Sequence, residues 1–464
     1  MNETQNPWIV DTPAGTGIAS KADARLAAPA LANPKGTRDY LPGDQRVRVS
    51  VIRTLEDTFA LYGYQPMETP ILNRFDLLAS KYAGGAEILK EIYRLTDQGG
   101  RQLALRYDLT VPFAKVMGMN PDRPLPFRRY EMGRVFRDGP VKAGRNREFT
   151  QCDVDVAGIA SVMAEAELME MAVRVYERLA MDVVVRYGNR KWLQGLIEAA
   201  GAAPGLVPGM LTALDKLDKA GWETVLLEMA EAGAPGDVRE RLRNWLALDR
   251  GAIMAQMPAD LPAYVQYLLE EGGRELDELE AALAALGVQG RMCFTPSLAR
   301  GLDIYTGTVW EVFMRSGPIT SSVGAGGRYD RIIGAFLRNG REYPAVGMTF
   351  GLDVMYAVLS AKPDDSVVAN EVAVLPIGTD LACLGLVRAI RNAGVPAVME
   401  MGGRSLRQAM RDAARRGSSF VVLVGEEEVA DNRAMVRDMR TGEQCAMPMA
   451  EVPAWLAAEP MGKR

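Results

Sequence analysis

Arginines, carboxylates and a few tyrosines carry the chemistry of this chain, because histidine is absent from all 464 positions. Without an imidazole there is no histidine base for a serine or cysteine hydrolase, and no histidine ligand for a metal. The four cysteines, Cys152, Cys293, Cys383 and Cys445, form no CxxC pair. Local spacing therefore assembles no structural zinc site, and four reduced thiols are expected. Arg, Asp, Glu, Tyr, Lys and Mg²⁺ remain. That set suits phosphoryl and nucleotidyl transfer, in which positioning and charge neutralisation do most of the catalysis.

Several groups have telling positions. Gln151 and Asp155 are four residues apart in the strand-like REFTQCDVDVAG, so both side chains point to one face. Arg145 and Arg147 alternate with Gly144 and Asn146 in a loop, a pattern that a solvated mobile loop also shows. Arg404, Arg407 and Arg411 are spaced by three and four, which on a helix makes one face. Such a stripe fits the phosphates of an RNA stem, and it equally fits a solvated helix face. The net charge of -5 argues against a general nucleic-acid coat but leaves room for a local basic surface.

Elements must hold these residues. The hydrophobic fraction of 48% and charged fraction of 24% are those of a soluble globular chain, and the length predicts two or three domains. No apolar run is long enough to cross a bilayer, and the N-terminus lacks a signal-peptide pattern, so a cytoplasmic protein is expected. Residues 1–32, rich in Ala, Pro, Gly and Thr, read as a poorly ordered arm. Val47, Val51, Ile52, Leu55, Phe59 and Tyr62 predict an amphipathic helix that stops at Gly63. IYRLTD and QLALRYD predict strands around QGG. FRRYEMGRVFRD and REFTQCDVDVAG predict an antiparallel pair joined by a long loop. A helix over MAEAELMEMAVRVYERL and a strand over MDVVVRYG follow. Residues from about 190 to 288 read as an all-helical insertion, before strand patterns return at CFTPSLARGLDIYTGTVWEVFM. A polar linker at 361–370 separates the 33–360 region from 371–464, where alternating strands and helices predict a small α/β domain with a largely parallel sheet.

The order of these segments resembles the histidyl-tRNA synthetase family. The likeness begins at Pro34 and runs nearly to the end. It rests on KGTRDYLP, on the segment Gly63 to Pro70, on LRYDLTVPFA at 105–114 and on the block at 134–151. It also rests on ARGLDIYTGTVWE at 299–311 and AGGRYD at 325–330. A lone glycine-rich loop would say little, whereas six blocks in order over most of the chain are specific. The resemblance implies an α+β fold of the class II aminoacyl-tRNA synthetase type. A six-stranded antiparallel sheet is flanked by helices, with a helical insertion and a C-terminal anticodon-binding domain. It implies a homodimer with no membrane association. The activity implied is ATP-dependent attachment of L-histidine to tRNA(His) through a histidyl-adenylate, with Mg²⁺ accompanying the ATP phosphates.

Roles then follow position by position. Arg137 would hold the ATP α-phosphate and the amino-acid carboxylate by bidentate bonds; the bland alternative is a surface arginine. Arg145 and Glu148 would engage phosphate and adenine. Asp108, Thr110 and Gln151 would grip the α-ammonium, since a desolvated cation needs an anionic partner; otherwise Asp108 is a structural ion pair. Asp155 and Tyr305 would meet the two imidazole nitrogens and confer selectivity, with Ile304 packed behind. Arg300 would stabilise charge at the phosphorus, a role that a metal ion plays in other class II enzymes. Gly326 and Gly327 would let substrate approach the backbone, or simply make a tight turn. Three positions depart from the family pattern: Thr150 stands where many members have a histidine or tyrosine, Ile304 takes the place of a tyrosine, and the arginine expected after Asp353, which would clamp the γ-phosphate, is Val354. A histidine-sensing regulatory subunit of ATP phosphoribosyltransferase, or a paralogue that adenylates histidine for another acceptor, are the alternatives.

Overall fold

The computed structural model describes residues 31–80, 89–141, 145–300, 304–337, 339–360 and 371–459. The linker at 361–370 and all but the last two residues of the expected arm lie outside them. Helix α1 (Pro42–Leu61) is placed by its apolar spacing, with Val51, Leu55 and Phe59 buried on one face. Pro42 sits in the first turn, where an N–H would have no intrahelical partner. The chain leaves the helix through Gly63, whose φ of 74° costs glycine little.

Four short strands come first: β1 (Gln65–Pro66), β2 (Leu72–Arg74), β3 (Arg94–Thr96) and β4 (Gln102–Leu105). The last three make a small antiparallel sheet, with β3 and β4 on either side of the QGG turn as expected. Helix α2 (Thr110–Met119) follows. The main sheet is built from β1 with β5 (Phe127–Phe136), β6 (Glu148–Ala157), β7 (Val183–Asn189), β8 (Met292–Phe294), β9 (Thr308–Met314), β10 (Gly324–Arg328) and β11 (Ala345–Gly351). Its order is β1-β5-β6-β11-β10-β9-β7-β8. The six strands from β5 to β7 in that order are all antiparallel to their neighbours, and β1 and β8 add one parallel strand at each edge. The six-stranded antiparallel sheet is therefore the centre of a wider one.

One face of this sheet buries Cys152, Val154, Val156, Trp310, Val312 and Phe350 against α1 and helix α3 (Met163–Arg178). The helical insertion runs from Arg190–Ala199 to Ala263–Ala285, within the expected interval. It has no core of its own, because Trp192, Leu196, Leu269 and Leu276 join the cluster under the sheet. Its first and last helices approach closely at glycine: a Cβ on Gly272 would lie 2.6 Å from the Trp192 backbone nitrogen.

The C-terminal region has a separate sheet, ordered β13-β12-β14-β15-β16. Its strands are β12 (Val372–Pro376), β13 (Ala397–Met399), β14 (Phe420–Val424), β15 (Arg433–Asp438) and β16 (Gln444–Pro448). The pairs β12–β13 and β12–β14 are parallel, whereas β14–β15 and β15–β16 are antiparallel. The expectation of a largely parallel sheet is thus corrected to a mixed one. The added hairpin escapes a reading of periodicity because its outer strand β16 is mostly exposed and carries little alternation.

Candidate active site

Alternation along β6 separates two environments. Cys152, Val154 and Val156 enter the apolar core, and Gln151, Asp153 and Asp155 point to the opposite face. Register supplies their neighbours. Asp155 lies between Arg129 of β5 and Gly347 of β11, Asp153 between Glu131 and Thr349, and Gln151 between Gly133 and Gly351. Arg129 Nη2 is 2.7 Å from Asp155 Oδ2 and donates to the Leu109 carbonyl at 3.1 Å, which ties the sheet to the loop bearing Asp108. The Tyr329 hydroxyl donates to Asp155 Oδ1. Gly347 leaves the room for this carboxylate, since a Cβ there would lie 1.9 Å from Oδ1. Arg106 occupies the space left by Gly133 and donates from Nη1 to Glu131 Oε1 at 2.7 Å and to the Thr69 carbonyl at 2.7 Å. Arg106, Arg129, Glu131, Asp153 and Asp155 are all buried, and buried charges survive only when paired in this way. Asp153 forms no ion pair among the described residues; burial, reinforced by the Asp155 carboxylate and opposed by the Arg129 guanidinium, pushes its carboxyl up.

Asp108 and Arg137 stand together near this row. Asp108 Oδ1 accepts from the Val111 N–H at 3.2 Å, and Thr110 opens α2. Burial pushes the Asp108 carboxyl up to about 6, opposed by the Val111 N–H and the Arg137 guanidinium. Arg137 donates from Nε to the Tyr107 carbonyl at 3.0 Å and lies over the Phe149 ring, 5.2 Å from its centre. Arg300 sits by Tyr305, its guanidinium 5.5 Å from the ring centre. Its Nη1 is 3.8 Å from Glu311 Oε1, is buried, and makes no hydrogen bond among the described residues. Gly301, Leu302 and Asp303 lie outside those residues.

The two glycines of β10 serve different faces. The space left by Gly327 holds the Tyr305 ring, 2.6 Å from where a Cβ would be, while that left by Gly326 holds the Trp310 indole at 2.4 Å on the core side. Gly326 thus makes room for packing rather than for substrate, a correction that follows from strand alternation. Arg145 is half exposed and pairs with Glu91 at 3.0 Å, and Glu148 pairs with Arg134. Val354 packs against the main apolar core. The preceding Asp353 pairs with Arg48 and accepts from the Tyr40 hydroxyl at 2.7 Å and the Thr150 N–H at 2.9 Å, locking α1 to β6.

In the C-terminal region the expected stripe is corrected at one position. The helix is Leu406–Arg416 with Ser405 at its N-cap, so Arg404 precedes it. Gly403, with φ 61°, turns the chain there, and Arg404 pairs with Asp412 and, at 3.5 Å, with Glu400. Arg407 and Arg411 remain on the helix, exposed and without an ion pair among the described residues. Four residues of this charged face went unremarked in the sequence: Arg106, Arg129, Asp153 and Tyr329. Their signal was charge two residues apart within strand patterns, Arg129 and Glu131 in FRRYEMGR and Asp153 and Asp155 in QCDVDVAG, and a tyrosine inside the AGGRYD block.

Comparisons place this geometry. The profile described as "Histidyl-tRNA synthetase" matches residues 36–355, and that described as "Anticodon binding domain" matches 371–459. "Histidine--tRNA ligase 1" of Bacillus anthracis is 45% identical over 427 residues, covering 92% of this chain and 100% of the relative. The crystal structure of histidyl-tRNA synthetase from Nostoc sp. PCC 7120 superposes with a TM-score of 0.76 at 26% identity, covering 92% of this chain and 98% of that one. An ATP phosphoribosyltransferase regulatory subunit/histidyl-tRNA synthetase from Bacillus halodurans shares the fold at TM-score 0.71 and 20% identity, over 85% of this chain and 98% of that one. The two profile matches and the relatives cover nearly the whole length of the chain, and the chain belongs to the histidyl-tRNA synthetase family.

Proposed function

We propose that this chain is a ligase that attaches L-histidine to tRNA(His) with ATP, releasing AMP and pyrophosphate. The observation that carries the reading is Arg300 Nη1, a buried guanidinium nitrogen that makes no hydrogen bond among the described residues, beside Tyr305 on the face that holds Asp155. A desolvated donor of this kind suits an anion that arrives with the substrate. Full-length identity to histidine–tRNA ligases supports the same assignment.

In this reading Asp108, Thr110 and Gln151 receive the α-ammonium group. Asp155, held by Arg129 and Tyr329, accepts from one imidazole nitrogen, and the Tyr305 hydroxyl meets the other. An amino acid lacking those nitrogens would leave buried polar atoms unpaired, which is a strong basis for rejection. Arg137 and Arg300 hold the substrate carboxylate against the ATP α-phosphate. A carboxylate oxygen attacks phosphorus in line, and the bond to the pyrophosphate oxygen breaks. The negative charge spreading over the phosphoryl oxygens is met by the two guanidinium groups. The terminal ribose hydroxyl of the tRNA then attacks the carbonyl carbon of the mixed anhydride, and AMP departs. No side-chain nucleophile takes part.

Among the described residues no group of three or more carboxylates or thiols is placed to hold a metal. Mg²⁺ would arrive on the ATP phosphates as part of the substrate. Arg145, released from Glu91, would supply cationic contact to the phosphates, with Glu148 at the adenine; this compensates for Val354. Arg407 and Arg411, with Arg404 beside them, would contact tRNA phosphates. A homodimer is supported by Leu61, Ile71 and Leu72, which are exposed around β1 and β2. Among the described residues no helix is long and apolar enough to cross a membrane, and we infer action in the cytoplasm.

Attachment of labelled histidine to tRNA, run beside histidine-dependent ATP–pyrophosphate exchange, tests the proposal. Charging together with exchange is the expected result. Exchange without charging would move the acceptor elsewhere, and silence in both with histidine still bound would make the chain a sensor.

A further inference from the structure

We propose that Thr349 and Asp153 are positioning residues for the substrate ammonium group, because together they set which end of the Gln151 amide faces the amino acid. The inference rests on the reading of Gln151 as an ammonium ligand.

The argument is one of hydrogen-bond polarity. The Thr349 hydroxyl has a single proton, and it donates to Asp153 Oδ1 at 2.7 Å. Its oxygen can then only accept from the amide, and Gln151 Nε2 donates to it at 3.5 Å. Because the amide is planar, Oε1 is turned away from Thr349, buried and without a hydrogen-bond partner among the described residues. An acceptor in that state is costly until a donor reaches it. The substrate ammonium is such a donor. Were the hydroxyl proton aimed at Gln151 instead, Oε1 would be consumed and the amide NH₂ would face a cation.

Asp153 is an unusual residue to spend on filling space. Glu131 and Asp155, its neighbours on the same face, each have an arginine at hand. Asp153 is 1% exposed, and Thr349 is its hydrogen-bonding partner among the described residues. Burial and the Asp155 carboxylate push it up, with the Arg129 guanidinium opposing. The Asp153 oxygen that faces Thr349 accepts its proton, and an asparagine carbonyl can accept in the same place. The carboxamide at 153 and a serine at 349 should therefore preserve the relay, and an apolar side chain at either place should break it.

The test uses calorimetric binding of two ligands to the full chain. Histidinol keeps the ammonium and the imidazole, whereas imidazolepropionate keeps the imidazole and lacks the ammonium. Thr349→Val and Asp153→Ala should weaken histidinol about tenfold, the scale of one lost hydrogen bond to a charged group, and leave imidazolepropionate within about twofold. Thr349→Ser and Asp153→Asn should restore histidinol binding. Equal weakening of both ligands would show a merely structural role and overturn the inference, as would no weakening of either. Gln151→Ala separates the two levels. If it weakens histidinol while Thr349→Val does not, the inference alone falls. If it leaves histidinol untouched, the ammonium role of Gln151 falls with it.

Discussion

The two larger sheets of this protein use the same backbone geometry in opposite ways. The C-terminal sheet is apolar on both faces: Val372, Val374, Phe420 and Val422 pack on one side, and Ala373, Leu375 and Val421 on the other. The main sheet is apolar on one face only. Its other face carries Arg129, Glu131, Asp153 and Asp155, buried almost as completely as the valines behind them. The first arrangement gains stability from area removed from water and tolerates changes that keep volume. The second gains little net stability from its ion pairs, yet removing one member is severe, because the partner stays behind as an unpaired buried charge. In the proposed function, burial of charge marks the region where chemistry is done, and exposed charge on the C-terminal helix one where contacts act additively.

The largest effect should come from opening the buried row. Arg129→Met strips Asp155 of its counter-ion, and unfolding followed by the fluorescence of Trp192 and Trp310 should show a loss of roughly 3–5 kcal/mol. A loss below about 1 kcal/mol would mean that the row is better hydrated than its burial indicates, and the contrast between the sheets would collapse. Arg300→Ala should lower the melting transition less than Arg129→Met does, since Nη1 makes no hydrogen bond among the described residues and its ion pair with Glu311 is long, at 3.8 Å. It should slow histidine-dependent pyrophosphate exchange about 10²–10³-fold. Intact exchange in this variant would remove Arg300 from the reaction.

A pH series sharpens the comparison further. Asp108 must be ionised to receive an ammonium group, and its carboxyl is pushed up to about 6 by burial. The KM for histidine should therefore rise as pH falls through about 6, by up to roughly tenfold per unit. Asp108→Asn should bind weakly and lack this component, which separates it from titration of the substrate imidazole in the same range. A wild-type profile matching that of the Asn variant would place the titrating group elsewhere. The smallest effect belongs to the exposed pair. Arg407→Gln with Arg411→Gln should leave stability and exchange unchanged and weaken tRNA binding modestly, lowering the slope of log affinity against log salt by about 1 per arginine. An unchanged slope would make these arginines solvated surface.

Much of this was legible beforehand for a physical reason. Alternation in REFTQCDVDVAG put Gln151 and Asp155 on one face because the pleat repeats every two residues, and the apolar spacing of α1 gave its buried face. What escaped was non-local or weakly patterned. The stripe of Arg404, Arg407 and Arg411 assumed a helix that begins earlier than it does, since Gly403 and Ser405 postpone its start. The β15–β16 hairpin lacked a periodic signal because its outer strand is mostly exposed.

The sequence by itself determined the order of segments, the faces of the strands, the absence of imidazole chemistry and the family. Only the tertiary structure decided who meets whom across those strands. Arg129 reaches Asp155 from β5, Tyr329 reaches it from the loop after β10, and Gly347 of β11 clears its space. Gly326 turns to Trp310 while Gly327 turns to Tyr305. Periodicity is a property of neighbours along the chain, whereas partnership across a sheet depends on register between segments that can lie far apart in sequence. A one-residue slip would send every one of these side chains to the other face.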